Sequence, residues 1–426
     1  LSGESVPSFP SPSFAFDEAT MPVNVLPFAP DVEPISVPLV DDPQLGDRME
    51  TAASVCRVLH VINGEHYSGA ERVQDLLACQ LPRLGWEVGF ACVKPGRFPT
   101  VRDSQDVPLV ELPMRGRFDL RVVKRLIGMV RQERYQLIHA HTPRTALIGS
   151  IAARWVGVPF VYHVHSPVGR DSTRPIANWT NAMVERYALR NANRVIAVSP
   201  SLRQYMVNRG VPAERVVYVP NGVPGSNQAV ERRRPIAAWT LGAVALFRPR
   251  KGIEVLLESL AALRSRGLNV RLRAVGGFES TSYESAVHAL ALRLGLAEAI
   301  DWIGFTRDTQ RELAKIDLLV LPSLFGEGLP MVVLEAMAAA VPVVASRVEG
   351  VPEAVVHRQT GLLVEAGSVS QLAHAIEEIV CDRVDYAALS RAALERHATL
   401  FSDTTMAKGV AAVYRDVLVD GKSSKV

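Results

Sequence analysis

The strongest constraint on this chain is a recurrence of short apolar runs, each closed by small or polar residues and followed by a helical stretch. VLHVIN (58–63), EVGFACV (87–93), PLVEL (108–112), LIHAH (137–141), FVYHVH (160–165), RVIAVS (194–199) and VVYVPN (216–221) are such runs. Helical periodicity fills the gaps at 68–81, 119–134, 144–156 and 175–190. The runs are rich in Val, Ile and Leu at successive positions rather than alternating with polar residues. That pattern marks strands covered on both faces, and helical crossovers between such strands make them parallel. After the polar stretch PGSNQAVERRRP (224–235), which reads as a linker, a second series begins. Its strands are GAVALF (242–247), VRLRAVGG (270–277), IDWIGF (300–305), DLLVLPS (317–323) and VPVVAS (341–346), with helices between and helices to the end. The fold class is therefore α/β, with two Rossmann-like doubly wound domains, 55–225 and 236–400. Ligands of such sheets bind beyond the carboxyl ends of the strands, so two of them facing each other make a cleft.

Residues 1–54 differ. They hold nine prolines, nine acidic residues and a single basic one, Arg48, a net charge of −8 within a chain of +3. We read them as a disordered acidic tail. The remaining body carries 3 + 8 = +11, which suits anionic ligands such as nucleotides, phosphates or anionic lipid. Four cysteines without ligand spacing read as buried thiols of a reducing cytosol. No run is long enough to span a membrane, and no basic-then-apolar leader opens the chain. The expected location is cytoplasmic.

Four constellations carry candidate chemistry. In FGEGLPMVVLEAM (325–337), Glu327 sits in a turn, Pro330 stands where a helix can begin, and Glu335 falls inside an apolar helix. The amides of Gly328, Leu329 and Met331 lie at the positive helix end, an anion site. A buried carboxylate at 335 needs a partner, either a ligand hydroxyl or an arginine from the basic body. In FRPRKG (247–252), Arg248, Arg250 and Lys251 stand at a strand-to-helix junction and suit a diphosphate; a solvated basic turn is the plainer reading. SGAE (68–71) permits close backbone approach at Gly69. It is not GxGxxG, and the chain lacks a P-loop, so nicotinamide and P-loop chemistry are disfavoured. HAH (139–141) and HVH (163–165) place paired histidines on one face of neighbouring strands. With no carboxylate at ligand spacing, local hydrogen bonding or contact with a ligand is a better reading than a metal.

Together these motifs resemble the retaining GT-B glycosyltransferases of the family-4, glycogen-synthase-like type (glycosyl transferases group 1). The E-x7-E of Glu327 and Glu335 runs on into LEAMAAAVPVVASRVEGVPEAV, with support from SGAERV, HVHS, VIAVSPSLRQYMVNRGV, YVPNGV and RKG in order along 57–420. The resemblance implies a sugar transferase using a nucleotide-sugar donor, UDP- or GDP-linked, with no cofactor, metal or nucleic acid. It implies that the C-terminal domain holds the donor and the N-terminal domain a glycan, lipid-linked or small-molecule acceptor. A final helix near 404–420 would pack back on the N-terminal domain. Carried over by position, Glu335 would bind the ribose and Glu327 the donor sugar, with Gly328, Leu329 and Pro330 forming the amide turn. Lys251 and Arg248 would hold the diphosphate, and Gly69 would approach it from the other domain. His165 would lie at the sugar, and Phe305 and Thr306 at the base. Catalysis would fall to Glu327, His165, Lys251 and Arg248. The chain departs from the family at Ser68, at Leu246 where an arginine is usual, and at Ala340 and Glu349, which replace common glycines.

Two rival functions share the fold: a nucleotide-sugar 2-epimerase or hydrolase, and a non-catalytic sugar-binding protein. The helix at 119–134 also allows a membrane reading. Arg121, Lys124, Arg125 and Arg131 share one face, and Val122, Val123, Leu126, Ile127 and Val130 the other. Peripheral contact with an inner membrane face competes there with a helix packed on its sheet, which is the simpler reading.

Overall fold

The computed structural model describes residues 56–116, 119–167, 175–225 and 232–423. The tail at 1–54 and the centre of the 224–235 linker lie outside the described residues. Seven strands form the first sheet: β1 (Cys56–Ile62), β2 (Trp86–Cys92), β3 (Leu109–Glu111), β4 (Leu137–Ala140), β5 (Phe160–Val164), β6 (Arg194–Ala197) and β7 (Val216–Tyr218). Six form the second: β8 (Trp239–Val244), β9 (Val270–Val275), β10 (Ile300–Gly304), β11 (Leu318–Leu321), β12 (Val343–Ser346) and β13 (Gly361–Val364). Every described pairing between these strands is parallel. β4, β5, β11 and β12 are buried at every residue, because helices cover both faces of the sheets.

The strand orders are β3-β2-β1-β4-β5-β6-β7 and β10-β9-β8-β11-β12-β13. Each order reverses once, between β1 and β4 and between β8 and β11. Those reversals are where the crossovers diverge and leave a crevice beyond the strand ends. The sequence motifs sit there. SGAE follows β1, HTP follows β4, FRPRKG follows β8, and FGEGLP follows β11.

The structure departs from the sequence reading in several places. β13 falls in the part read as helical to the end; GLLV is too short to show a period. The VVYVPN strand stops at Tyr218, before its proline. Part of the linker is pinned: Arg232 donates to the carbonyls of Ile316 and Leu313, and Arg234 to that of Val380. Cys92 is buried, but Cys79 and Cys381 are exposed, so the expectation of four buried thiols fails for those two.

The last helix, Asp403–Ser423, lies against the first sheet's lobe. Gln80 donates to Asp403 at 2.7 Å, and Arg194 pairs with Asp416 and Asp420 at 2.7 and 2.8 Å. Among the described residues no helix is long and apolar enough to cross a membrane. The helix Arg121–Gln132 buries Val122, Val123, Leu126 and Val130, while Arg121, Lys124, Arg125 and Arg131 are exposed. Its apolar stripe is already used in packing. Any binding to anionic vesicles should therefore be electrostatic, vanishing in co-sedimentation at about 0.5 M salt, where the Debye length falls to a few ångströms. Retention at high salt would contradict the packed-helix reading.

Candidate active site

The turn after β8 is a single 3₁₀ turn, Pro249–Lys251, closed by Gly252 in the left-handed region (φ +64°). A Cβ on Gly252 would lie 2.1 Å from the Pro322 carbonyl oxygen at the end of β11. The turn is thus pressed onto its neighbouring strand, which delivers Lys251 to Glu327. The Lys251 ammonium is bonded to Glu327 Oε1. Ser323 Oγ donates to the same oxygen at 2.6 Å, and Arg250 stands 3.9 Å from it. Burial pushes the Glu327 carboxyl up, but Lys251, Arg250 and Ser323 together outweigh it and hold the group below its usual range. Burial likewise pushes the Lys251 ammonium down, with Glu327 opposing. The pair is a largely buried ion pair in which Ser323 adds a hydrogen bond to the same carboxylate oxygen, and such added bonds help a buried pair to persist.

Arg250, rather than Arg248, joins this cluster, donating also to the Gly326 carbonyl at 3.0 Å. Arg248 instead faces Glu279 at 3.6 Å.

The turn 325–330 differs in detail from the sequence reading. Pro330 is the residue before the helix, which runs Met331–Ala338. The Glu349 carboxylate accepts from the amides of Gly326 and Glu327 at 2.9 and 3.2 Å. Glu349 and Ala340 both have positive φ, +26° and +55°. This accounts for the glycines usual at these positions, since a side chain is strained there.

Glu335 is buried, and its partner is Arg72, from the helix Gly69–Gln80 of the opposite lobe. Arg72 also donates to Thr309 Oγ1 at 3.3 Å. Burial pushes the Glu335 carboxyl up, with Arg72 and Thr309 opposing. The sequence offered a ligand hydroxyl or an arginine as partner; the arginine is present. Gly69 opens its helix facing the start of the other, where an added Cβ would lie 3.6 Å from Met331 Cγ. The starts of the two helices thus meet across the cleft, and Lys251 and Arg250 reach Glu327, four residues before one of them, an arrangement suited to a diphosphate.

Other contacts cross between the lobes. Asn221 Nδ2 donates to the Leu329 carbonyl at 2.9 Å, and Ser201 N to Glu353 at 2.7 Å. The Arg97 guanidinium lies 4.5 Å from the Phe305 ring centre. Phe305 is otherwise exposed, and Thr306 Oγ1 accepts from the Asp308 amide at 3.1 Å. His165 meets the Gly328 turn through its backbone: a Cβ on Gly328 would sit 1.9 Å from the His165 carbonyl oxygen.

The paired histidines form a larger cluster than the sequence suggested. His60, in register with His139 on the adjacent strand, joins them. VLHVIN contains that signal, but its partner strand is distant in sequence. The nitrogens of His60, His139 and His141, and of His141, His163 and His165, lie within 4.8 Å of one another. In the second group His141 and His165 are 14° from parallel and His163 and His165 26°, whereas in the first His60 stands 67° from the plane of His139. Lone pairs lie in the ring plane, so the stacked His141, His163 and His165 do not converge on one ion as metal ligands do.

Residues 238–382 match the family model "Glycosyl transferases group 1", and residues 68–222 match "Glycosyl transferase 4-like domain". The alpha-maltose-1-phosphate synthase of Mycolicibacterium smegmatis is 31% identical, over 66% of this chain and 79% of the relative. The D-inositol 3-phosphate glycosyltransferase of Corynebacterium glutamicum is 26% identical, over 70% and 78%. Among solved structures, Anabaena HepE in complex with UDP-glucose superposes with a TM-score of 0.73 at 24% identity, over 84% of this chain and 99% of that one. The chain belongs to the group 1 glycosyltransferases, retaining enzymes of GT-B fold that move a sugar from a nucleotide-sugar donor to an acceptor.

Proposed function

We propose that the lobe of β8–β13 binds the donor and the lobe of β1–β7 the acceptor, with transfer between them. The observation that carries this reading is that Lys251 and Arg250 meet the Glu327 carboxylate in the turn just before a helix start that faces the start of Gly69–Gln80. The cations and amides hold the diphosphate, and Glu327 orients the donor sugar. Glu335 takes the ribose hydroxyls, for which Arg72 stands in here. Phe305 and Thr306 meet the base, and His165 the sugar. Arg250 takes the phosphate role that the sequence assigned to Arg248.

The chemistry follows from charge. As the anomeric carbon–oxygen bond breaks, positive charge grows on the sugar and negative charge on the diphosphate. Fixed cations and dipoles at the leaving group stabilise that separation without reorganising. A leaving phosphate oxygen takes the acceptor's proton as the new glycosidic bond forms on the same face, which retains configuration. No metal is assigned a role. The donor is UDP- or GDP-linked and the acceptor is a glycan, a lipid-linked sugar or a phosphorylated small molecule. HepE, with UDP-glucose, and the inositol-phosphate transferase illustrate these two halves of the range.

A thermal-shift screen of UDP, GDP, ADP and their sugars tests the reading. A cognate nucleotide at 100 times its Kd adds about 2.7 kcal/mol to the folded state and raises Tm. Glu335→Gln should raise the donor KM by ~10-fold or more, since a hydrogen bond to a charged group contributes about 1.5–3 kcal/mol. No shift with any nucleotide would overturn the proposal. Epimer formed from donor alone, without acceptor, would favour the 2-epimerase.

A further inference from the structure

The two carboxylates of E-x7-E are neutralised in different ways. Glu327 takes its countercharges, Lys251 and Arg250, from its own lobe. Glu335 takes its countercharge from the other lobe. Arg72 Nη1, on the helix Gly69–Gln80, bonds to Glu335 Oε1 and also donates to Thr309 Oγ1 at 3.3 Å. Among the described residues Arg72 is the only charge acting on Glu335. The elements packed on the helix Met331–Ala338 supply no second one. On Thr309–Leu313, Arg311 is exposed and Glu312 is held by Arg273 and Lys315 at 2.6 and 2.7 Å. On Tyr386–Leu400, Arg396 and His397 are spent on the carbonyls of Ala354 and Val223. On Gly69–Gln80, Glu71 turns back to Ser68 and Asp75 to Ser104. β11 and β12, LLVL and VVAS, carry no charge.

A ribose presents its 2′- and 3′-hydroxyls as donors. An ionised carboxylate accepts from both, whereas a protonated carboxyl spends one oxygen as a donor. Burial works against the ionised form. The Glu335 side chain is 4% exposed, and burial pushes its carboxyl up against the pull of Arg72 and Thr309. Glu327 is as buried, yet the cations of its own lobe hold it below its usual range. Glu335 is therefore the carboxylate whose charge depends on docking of the lobes. A hydroxyl that takes the lone pair now bonded to Arg72 takes a hydrogen bond, not the charge. The guanidinium has further N–H donors, and Thr309 Oγ1 anchors it beside the carboxylate.

We propose that Arg72 is a positioning residue for the donor: from the β1–β7 lobe it supplies the positive charge that readies Glu335, on the other lobe, to accept the ribose hydroxyls. This deepens the reading above and rests on its assignment of Glu335 to the ribose. Ribose recognition is then completed only when the lobes are docked, whereas the phosphate cations Lys251 and Arg250 stand on one lobe. The sign of the pH dependence follows. The ionised carboxylate is the binding form, so donor affinity falls as pH falls through its titration. Loss of Arg72 moves that fall to higher pH.

The test is calorimetric titration of the full-length protein with UDP-glucose, GDP-mannose and ADP-glucose from about pH 6 to about pH 8.5. Arg72→Met should weaken the best-bound donor ~10-fold at the acid end, the effect of moving a carboxyl's titration up by about one unit. The loss should shrink toward the alkaline end, where Glu335 ionises without help. Arg72→Lys should restore most of the affinity, because it keeps the charge. In Glu335→Gln, which has no charge to keep, affinity should be low and flat with pH. Adding Arg72→Met to it should cost less than about twofold, since the two residues act as one unit. At saturating donor, kcat of Arg72→Met should change less than about twofold, as for binding shared by ground and transition states. Tighter donor binding in Arg72→Met would overturn the proposal by making Arg72 a competitor of the ribose. A loss equal at every pH, no rescue by lysine, or full additivity with Glu335→Gln would overturn it as well. Failure of the site reading is separately visible, as wild-type affinity in Glu335→Gln or no affinity for any of the three donors.

Discussion

Lys251→Met will lower kcat by ~10²–10³, the loss seen when one preorganised group is removed from developing anionic charge. Two effects combine. The diphosphate loses a cation, and Glu327 loses the partner that keeps it ionised. Glu327 retains Ser323 at 2.6 Å and Arg250 at 3.9 Å, so the fold survives. Breaking a buried pair costs about 3–5 kcal/mol when nothing else compensates. Here about 2–3 kcal/mol is expected, since both remaining partners persist. The double variant Lys251→Met, Glu327→Gln separates the two effects. It removes the unpaired charge, so Tm should recover most of its loss while kcat stays low. Recovery of activity with stability would mean that Lys251 is structural and that the leaving group is held elsewhere.

That test depends on what the sequence could and could not reveal. The sheets were legible because strands buried on both faces advertise themselves as apolar runs, and β13 escaped because four residues carry no period. The glycine and lysine of RKG and the two glutamates of E-x7-E were legible because their spacing is local. Their partners were not. Arg72 and Glu335 are joined across the cleft by docking of the lobes, and no spacing within either segment encodes that. The choice between Arg248 and Arg250 turns on the course of one 3₁₀ turn: the residue just before it faces Glu279 and one within it Glu327. Tyr414 looks like an ordinary aromatic residue of a helix until the fold brings its hydroxyl to His60 and His139. Glu349 seemed to break a glycine rule, yet its carboxylate holds the turn that carries Glu327.

Gly328→Ala should be nearly as damaging as loss of Lys251, for a different reason. The new methyl would stand 1.9 Å from the His165 carbonyl oxygen, 2.8 Å from its carbon and 3.0 Å from a Leu202 methyl. Two of those atoms are backbone and cannot swing aside. Gly328 is not in the left-handed region, so alanine can adopt its conformation and the conflict is purely one of space. The contact joins the lobes rather than filling either core, so each lobe should fold and the lobes should stand apart. The Asn221 bond to Leu329, at 2.9 Å, would then break, and His165 would leave the donor turn. A displacement of about 1 Å at a reacting centre costs ~10² in rate. We expect kcat to fall by that order. Donor binding should change much less, because the phosphate cations sit on one lobe. Solution scattering should report a larger radius of gyration than wild type in the presence of nucleotide. Gly128→Ala is the companion control: its new methyl would meet no heavy atom within 4 Å, mid-helix. It should be neutral or slightly stabilising, by up to about 1 kcal/mol. Wild-type turnover in Gly328→Ala, with unchanged scattering, would show that lobe closure at this turn is not required for transfer.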